Sequence, residues 1–289
     1  MLCFFASDLH GHIERYEALF DRVAAELPHA VFLGGDLLPS AMPGSADSGA
    51  ALNEWAARSL GSRLRRLHER LGDSRPRVLA ILGNDDARSA ESDLEQLVRD
   101  RLLEMVHMRH TTLASFDVYG YSCVPPTPFL LKDWERYDVS RYVEAGCVSP
   151  EEGQRTMRLS ASEVRFGTIA RDLELLVDGR DLSRAILLFH APPYRTMLDR
   201  APLDGRMVDG VPCDVHVGSI AVRRLIESRQ PLVCLHGHVH ESPRLTGSWC
   251  DRLGRTQLFS AAHDGPELAL VRFDPEQPER ASRELIPVA

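Results

Sequence analysis

Five short polar motifs each come at the end of an apolar, strand-like run of the sequence. The runs are residues 2–6, 30–33, 78–82, 185–189 and 232–235. The motifs are, in chain order, Asp8-Leu9-His10, Gly35-Asp36, Gly83-Asn84-Asp85-Asp86, His190 and Gly237-His238-Val239-His240. Open α/β sheets place ligand sites at the carboxyl ends of their strands. Carboxylate, carboxamide and imidazole groups gathered at such an edge predict a pocket for divalent metal ions.

Each motif taken alone has an ordinary explanation. Asp8 could cap a helix, the glycine-containing motifs could be simple turns, and His190 could be a hydrogen-bonded histidine at a strand end. His238 and His240 indicate a metal site more strongly, because imidazoles two residues apart point the same way on an extended chain. The separate explanations do not predict that all five motifs close a strand-like run. Their joint occurrence therefore favours a metal site.

Composition is typical of a globular protein with a sizeable core. The chain has 289 residues, of which 44% are hydrophobic and 26% charged. No Gly/Ser-rich or Pro-rich linker divides it, so we expect a single domain over residues 1–289 with insertions near 124–162 and 191–217. The formal net charge of -8 argues against broad nucleic-acid binding. It allows a small phosphorylated substrate, because bound metal ions would reverse the local charge.

Cysteine usage and the N-terminus favour a cytoplasmic location. None of the six cysteines forms a Cys-x-x-Cys pair, and Cys3 and Cys234 fall within predicted core strands. We expect reduced thiols, with these two buried. The N-terminus lacks the basic region of a signal peptide, and no apolar run approaches the roughly 20 residues that span a bilayer. We therefore expect no membrane association.

The order of elements predicts an α/β fold. A strand, a helix starting near residue 13 and stopped by Pro28, and a second strand form a βαβ unit, which implies parallel strands covered by helices. Further strands are expected at 105–108 and 116–123, and further helices at 91–103, 163–177 and 218–228. Runs at 257–260 and 268–273 suggest an antiparallel closing sheet.

Residues 39–50 have the composition of a loop, and a helix is expected from about residue 52 to 71. Four arginines of this helix could suggest a phosphate-binding patch. They are Arg63, Arg65, Arg66 and Arg70. The leucines at 60, 64, 67 and 71 recur at helical spacing, so we interpret the arginines as a solvated helix face.

Two segments interrupt the alternation of strands and helices. Residues 124–162 are too long for an ordinary connection, and such loops are usually functional or disordered. Trp134, Tyr137 and Tyr142 favour an ordered insertion near the site. The second interruption, residues 191–217, is rich in turn dipeptides. We expect both insertions to select the substrate.

The ordered motifs resemble the signature of the calcineurin-like metallophosphoesterase superfamily, over residues 2 to about 273. A closer resemblance is to the Icc-related bacterial and archaeal phosphoesterases. The stretches that carry it are Pro126-Thr127-Pro128-Phe129, Lys132-Asp133-Trp134-Glu135 and His216-Val217-Gly218-Ser219 ahead of Gly237-His238-Val239-His240-Glu241. The resemblance implies a four-layer α/β sandwich, in which two mixed β-sheets pack face to face with helices outside.

The same resemblance implies a centre of two divalent metal ions. One ion would be held by Asp8, His10 and His240, and the other by Asn84, His190 and His238. Asp36 would bridge them, since a carboxylate can offer one oxygen to each. Mixed nitrogen and oxygen ligands suit manganese, with iron or zinc as alternatives. The mechanism implied is in-line attack of metal-bound hydroxide on phosphorus, without a covalent enzyme intermediate.

One position departs from the pattern of many relatives. They carry His directly after the Asn, where it stabilises the phosphoryl group or protonates the leaving group, and this chain carries Asp85. Asp85 is then a retuned acid, a positioning group, or a sign of weak catalysis. His12 is a candidate substitute acid, although an exposed residue of the first helical turn is an equal interpretation. Asp86 is expected to orient a ligating side chain, and Asp264 is too isolated to assign.

The leading hypothesis is a cytoplasmic metal-dependent phosphoesterase that hydrolyses phosphodiesters or small phosphorylated metabolites. The alternative is a catalytically weak metal-site scaffold that serves as a protein-binding module, which Asp85 keeps open. A nuclease of the same superfamily is disfavoured by the acidic balance and by the absence of a basic tail.

Overall fold

The computed structural model describes residues 1–40 and 55–288. Most of the predicted loop at 39–50 and the start of the helix predicted from residue 52 lie outside these ranges. The described part of that helix begins with a π-helical segment, Trp55–Leu60, and continues as an α-helix.

Fourteen strands are formed by the described residues. They are β1 (Cys3–Ala6), β2 (Ala30–Gly34), β3 (Arg77–Ile81), β4 (Glu104–Met105), β5 (Arg109–Leu113), β6 (Phe116–Tyr121), β7 (Ala185–Phe189), β8 (Met207–Val208), β9 (Val211–Pro212), β10 (Val233–His236), β11 (Cys250–Leu253), β12 (Thr256–Ser260), β13 (Leu268–Phe273) and β14 (Ser282–Ile286). The helices are α1 (Ile13–Glu26), α2 (Gly61–Leu71), α3 (Glu91–Arg99), α4 (Ala161–Phe166), α5 (Ile169–Val177), α6 (Ile220–Arg229) and α7 (Ser242–Thr246).

Two mixed six-stranded sheets form the centre of the described structure. One has the order β14-β13-β1-β2-β3-β4, and the other has the order β11-β12-β10-β7-β6-β5. In the first sheet β1, β2 and β3 are parallel and β13 joins β1 antiparallel. In the second, β6, β7, β10 and β12 are parallel. The carboxyl ends of β1, β2, β3, β7 and β10, which carry the polar motifs, are thereby brought to two neighbouring sheet edges.

Alternation along the strands creates two apolar layers. Phe5 of β1 and Leu188 of β7 belong to a core cluster that lies between the sheets. Phe4 of β1 belongs to the cluster that includes Tyr16 and Leu19 of α1. Successive side chains of a strand point to opposite faces, so each sheet is covered by the other sheet on one face and by helices on the other. The predicted four-layer α/β sandwich is confirmed.

Several predicted elements differ from the structure. The strand β5 was not predicted, because its sequence Arg-His-Thr-Thr-Leu has little apolar alternation and it lies at a sheet edge. Strand β14 was not predicted for the same reasons. The helix predicted at 163–177 is divided into α4 and α5, because Thr168 adopts an extended conformation and caps α5 through the Arg171 amide. The tail does not form one closing sheet, since β12 and β13 belong to different sheets.

The arginine-rich helix faces solvent as predicted. Leu60, Leu64 and Leu67 are buried. Arg63 forms an ion pair with Glu17, and Arg65 pairs with an aspartate of the α3 C-terminus. Ion-paired guanidinium groups are typical of a solvated helix face.

The cysteines are also placed as expected. Cys3 and Cys234 are fully buried, and the thiols of all six cysteines, which lie within the described ranges, are free. Among the described helices, none has the length and apolar character needed to cross a membrane.

The first insertion is ordered and is anchored to the sandwich by carboxylates. The Asp133 carboxylate, which is almost completely buried, accepts hydrogen bonds from the amide of Arg88 at 2.7 Å and from that of Thr156 at 2.9 Å. Trp134 and Tyr137 are buried as the prediction of order requires, whereas Tyr142 is 68% exposed. Arg88 follows the Gly83-Asn84-Asp85-Asp86 motif, so Asp133 joins the insertion to a site-bearing loop.

A second carboxylate, Asp138, joins the first insertion to the start of helix α6. It accepts hydrogen bonds from the Ser219 hydroxyl at 2.6 Å and from the amides of Ile220 at 2.6 Å and Ala221 at 3.2 Å. The first amides of a helix have no partner within the helix, and a carboxylate there also interacts favourably with the helix dipole. Asp138 therefore stabilises α6 and the position of the insertion together.

Replacing Asp138 by Ala is expected to lower the free energy of unfolding by about 1–3 kcal/mol, because the α6 amides and the Ser219 hydroxyl lose a charged acceptor. Urea unfolding monitored by circular dichroism measures this change. Asp21→Ala, at an exposed position of α1, is the matched control and should stay within about 0.5 kcal/mol of the parent. Equal unfolding midpoints for Asp138→Ala and the parent protein would show that this anchor contributes nothing.

Candidate metal centre

The loops after β1 and β2 are joined by backbone hydrogen bonds. The Asp8 amide donates to the Gly35 carbonyl at 2.9 Å, and the His10 amide donates to the Asp36 carbonyl at 2.8 Å. The two sheets meet through Asp8, whose Oδ1 accepts a hydrogen bond from the His238 amide at 3.0 Å. The motif-bearing loops of both sheets therefore form one site.

Asp8, His10, Asp36 and His240 form the first group of candidate ligands. One donor atom from each lies within 4.8 Å of all the others. Asp8 and Asp36 are almost completely buried, whereas His10 and His240 are partly exposed. Two carboxylates and two imidazoles at this spacing match the ligand types that bind divalent transition metals.

His190, Asn84 and His238 lie beside the first group. The Nε2 atom of His190 is 3.1 Å from Asn84 Oδ1 and 3.3 Å from Asp36 Oδ2. The ring centroids of His190 and His238 are 5.2 Å apart. The structure thus brings all seven predicted ligands together, and Asp36 contacts residues of both groups. His190 Nδ1 lies 2.8 Å from the Gly34 carbonyl, and donation to this carbonyl leaves Nε2 free to bind a metal.

Backbone conformation sets these side chains apart from ordinary turn residues. Four predicted ligands have positive φ, namely Asp8 at 57°, His10 at 47°, Asp36 at 51° and His238 at 74°. Non-glycine residues adopt this region at a cost of order 1–3 kcal/mol, and such residues cluster at functional sites. Sequence patterns carried no signal for this strain.

Glycine at position 83 allows the loops to approach closely. A Cβ atom there would lie 2.3 Å from Asp36 Oδ1 and 2.6 Å from His190 Nε2. Gly35, with φ of 95°, is similarly close to the His190 ring. The glycines of the Gly-Asp and Gly-Asn motifs are therefore required by the packing of the candidate ligands.

Burial and opposite charges compete in setting the pKa of each carboxyl group. Burial alone would raise the pKa of Asp8, but the neighbouring imidazoles, chiefly that of His240, hold it well below its usual range. Burial likewise opposes the charged form of Asp36, and His190 lowers the pKa of that carboxyl. Both carboxylates are therefore anionic at neutral pH and available as ligands.

The imidazoles show the reverse balance. Burial lowers the pKa of His190, but Asp36 opposes it and raises the value to about 9. The pKa of His10 is also raised to about 9, because the hydrogen bond to Asp85 and the charge of Asp36 outweigh burial. Among the described residues the His238 ring has no carboxylate hydrogen-bond partner, and burial together with His190 lowers its pKa to about 3. The paired histidines supply the positive charge that balances the buried carboxylates in the metal-free protein.

The geometry of His10 and His240 fits a bound cation. Their Nε2 atoms face each other at 3.4 Å, and His240 Nε2 is also 3.2 Å from Asp8 Oδ1. Two protonated rings would repel at this distance. A divalent ion between them would accept both nitrogen lone pairs and a carboxylate oxygen, so this donor set suits a metal better than protons.

Asp86 supports the site through the backbone. Its carboxylate is fully buried and accepts hydrogen bonds from the amides of Gly83 and Leu38 at 2.8 Å each and of Leu37 at 3.1 Å. Burial and the nearby Asp36 charge raise its pKa to about 7. We expected Asp86 to orient a ligating side chain. It instead holds together the two loops that carry Asp36 and Asn84.

The remaining candidates have distinct surroundings. Asp85 Oδ2 lies 3.2 Å from His10 Nδ1. His12 is exposed at the residue before α1, and its side chain makes no capping hydrogen bond there. Asp264 accepts a hydrogen bond from Arg244 Nε at 2.6 Å, which is a surface ion pair.

Two contacts to Asp8 were not predicted from the sequence. The Ser7 hydroxyl donates to Asp8 Oδ2. Arg15 donates to the Asp8 carbonyl at 2.8 Å and to the Gly265 carbonyl at 2.8 Å. Arg15 lies on the first turn of α1, and no sequence signal connects it with residue 265. Ser7, directly before the aspartate, could have been considered from its position alone.

A model of the family described as calcineurin-like phosphoesterase matches residues 1–242. The chain belongs to the calcineurin-like phosphoesterase family. The match includes all seven candidate ligands and confirms the resemblance drawn from the motifs.

The chain is also similar to individual proteins. The chain is 37% identical over 79 residues to the uncharacterized protein MJ1162 of Methanocaldococcus jannaschii. The aligned segment covers 27% of this chain and 30% of that protein. The chain thus matches under a third of the length of this curated relative. The crystal structure of TT1561 of Thermus thermophilus aligns over 99% of both chains with a TM-score of 0.58 and 19% identity. At that identity the alignment supports the fold of this calcineurin-like phosphoesterase.

Replacing Gly83 by Ala is expected to weaken Mn²⁺ binding at least about tenfold, because the added Cβ displaces the donor atoms of Asp36 and His190. Isothermal titration calorimetry of chelator-treated protein measures the affinity. Gly179→Ala is the control, since no atom of the described residues lies within 4 Å of the Cβ added there; unlike Gly83, Gly179 has positive φ. That variant should lose stability and keep its Mn²⁺ affinity. Equal affinities for Gly83→Ala and the parent protein would contradict the assignment of these ligands.

Proposed function

We propose that this protein is a metal-dependent phosphoesterase that hydrolyses a phosphodiester or a small phosphorylated metabolite through a dinuclear centre. The observation that carries the proposal is the position of Asp36 between two groups of candidate ligands. Its Oδ2 atom is 3.3 Å from His190 Nε2 and 4.0 Å from His10 Nε2. A carboxylate that lies between the two groups of candidate ligands can contribute to both ions.

In this proposal Asp8, His10 and His240 hold one ion, and Asn84, His190 and His238 hold the other. Asp36 contributes to both. Manganese is the ion we propose, with iron and zinc as alternatives, because imidazole and carboxylate ligands suit all three. Two divalent ions at such a centre supply positive charge to the phosphate oxygens and lower the pKa of a water molecule.

The protein's own groups hold this arrangement in place. Asn84 offers a neutral oxygen, so it adds a ligand without adding charge to the buried carboxylates. The strained backbone at Asp8, His10, Asp36 and His238 is held by hydrogen bonds to neighbouring loops, as with the Asp8 amide and the Gly35 carbonyl. A pre-positioned site of this kind avoids reorganisation during the reaction.

Asp85 and His12 are the two groups proposed for protonating the leaving oxygen. The Asp85 carboxylate is engaged by His10 and Ser40, which favours His12. The pKa of His12 is lowered by partial burial and by Arg15, so only a minor fraction carries the proton near neutral pH. A phosphate ester with a good leaving group needs little of this help.

Substrate choice is proposed to lie in the insertions at 124–162 and 191–217 of a single domain. The first is joined to the motif at Gly83–Asp86 through Asp133 and Arg88. The second follows His190 directly and is joined to helix α7, next to His240, by the hydrogen bond from the Arg200 amide to the Ser242 hydroxyl at 3.0 Å. Both insertions therefore border the site.

A metal-site scaffold for protein recognition is the second candidate function. The observation that favours it is Asp85, an acidic residue where many relatives have His. An additional negative charge beside the site opposes the binding of a phosphate anion. A phosphoesterase would hydrolyse an activated substrate, whereas a scaffold would bind metal without hydrolysing it.

Metal-stripped protein reloaded with Mn²⁺ is expected to hydrolyse bis-p-nitrophenyl phosphate. Replacing Asp36 by Asn should lower kcat/KM at least about 100-fold, because an amide offers one neutral oxygen in place of two anionic ones. Release of p-nitrophenolate, followed by absorbance, measures both reactions. The same assay with p-nitrophenyl phosphate compares diester with monoester hydrolysis.

The matched control is Asp73→Asn, which makes the same chemical change at an exposed turn before β3. It should retain the parent activity. If the parent protein binds Mn²⁺ and releases no nitrophenolate, the phosphoesterase proposal fails and the scaffold function is favoured.

A further inference from the structure

Asp85 has contacts that its sequence position did not predict. Its Oδ2 atom lies 3.2 Å from Nδ1 of His10, and the Ser40 hydroxyl also donates to this oxygen. Its backbone amide donates to Asp36 Oδ1 at 2.8 Å. One residue thus contacts a candidate ligand of the first group through its side chain and the central carboxylate through its backbone.

The two nitrogens of His10 face different partners. Nδ1 faces Asp85, whereas Nε2 faces His240 Nε2 at 3.4 Å and Asp36 Oδ2 at 4.0 Å. Since a carboxylate only accepts hydrogen bonds, its partner Nδ1 carries the proton. In the neutral imidazole the lone pair is then on Nε2, the nitrogen that faces the cluster.

Asp85 lies at the exposed rim of the candidate metal centre, where it can accept the hydrogen bond from His10 as a charged carboxylate. Its side chain is 36% exposed, whereas that of Asp36 is 4% exposed. Contact with water lowers the cost of holding a charge there, so Asp85 needs no further cation in the protein. The Ser40 hydroxyl and the fixed backbone at residue 85 restrict the direction in which the carboxylate points.

We propose that Asp85 is a positioning residue of the metal centre, which holds the His10 ring with Nδ1 protonated and Nε2 directed at the ion. This inference rests on the proposed metal centre and gives the acidic residue a role other than proton donation. Carboxylates that accept a hydrogen bond from a ligating histidine fix its tautomer and orientation, and their loss lowers metal affinity about 10- to 100-fold.

The test is calorimetric titration of Mn²⁺ into the chelator-treated full chain at constant pH. Asp85→Ala is expected to weaken the ion held by His10 about 10- to 100-fold and to leave the other ion nearly unchanged. Asp85→Asn keeps an oxygen acceptor for His10 Nδ1, so its loss should be smaller than that of Asp85→Ala. Asp73→Ala, which removes an exposed carboxylate elsewhere, should match the parent protein.

A spectroscopic measurement separates positioning from a general structural effect. Long-range ¹H–¹⁵N correlation spectra of the metal-free protein, recorded at a pH where the His10 ring is neutral, should show a proton on Nδ1 in the parent protein and in Asp85→Asn. In Asp85→Ala the signal should shift toward a mixture of tautomers. Asp85→Asn has nearly the same size and shape as the parent residue, so it serves if the alanine variant does not fold.

The positioning role would be overturned if Asp85→Ala kept the Mn²⁺ affinity of the parent protein. If that variant also hydrolysed only substrates with poor leaving groups more slowly, Asp85 would be a proton donor. Failure of the proposed function is a different result, because the parent protein would then bind no Mn²⁺ or release no nitrophenolate before any variant is compared. Parent activity with equal affinity in parent and variant would overturn only the role of Asp85.

Discussion

Asp8 and Asp36 are two carboxylates held almost out of water in one small volume, where each opposes the ionised form of the other. Burial disfavours both charges, and the Asp8 charge further raises the pKa of Asp36. Without a metal, the compensation comes from the neighbouring imidazoles, of which those of His10 and His190 have a pKa of about 9. An uncompensated buried charge costs several kcal/mol, so the surrounding loops must keep these partners in place. The strained backbone and the close glycines follow from this requirement.

Carboxylates bonded to backbone amides are the recurrent device that holds the surrounding loops. Asp86 joins the loops after β2 and β3, Asp133 and Asp138 anchor the first insertion, and Asp199 organises the second. Asp199 is fully buried and accepts hydrogen bonds from the amides of Arg195 and Thr196 and from His216 Nδ1. An ionised acceptor forms stronger hydrogen bonds than a neutral one. Segments without regular secondary structure are thereby given fixed positions beside the ligands.

The sequence was most informative where apolar strands end in ligand-type residues. The runs before Asp8, Asp36, Asn84, His190 and His238 are strands or end within one residue of a strand, and the topology brings all of these residues together. The prediction that these residues lie together succeeded because parallel strands direct their carboxyl ends to a common edge. The fold class, the buried cysteines and the solvated arginine helix were likewise predictable from local patterns.

Long-range contacts account for what could not be predicted. The edge strands β5 and β14 depend on pairing with neighbours, and their own sequences have little alternation. Arg15 meets Gly265 across 250 residues. The contact between His10 and Asp85, on which the proposed positioning role rests, joins positions 75 residues apart. Local periodicity carries no information about such pairs, because they depend on the assembled loops.

The most direct test of the account is the free energy of unfolding as a function of free Mn²⁺ concentration, measured by urea unfolding. If the clustered carboxylates and imidazoles are a preformed metal centre, bound ions stabilise the native state. Above saturation, stability should rise by about 1.4 kcal/mol per tenfold increase in free Mn²⁺ for each ion bound, and so by about 2.8 kcal/mol for two ions. A slope near 1.4 kcal/mol would indicate one ion, and stability independent of Mn²⁺ concentration would contradict the existence of the centre.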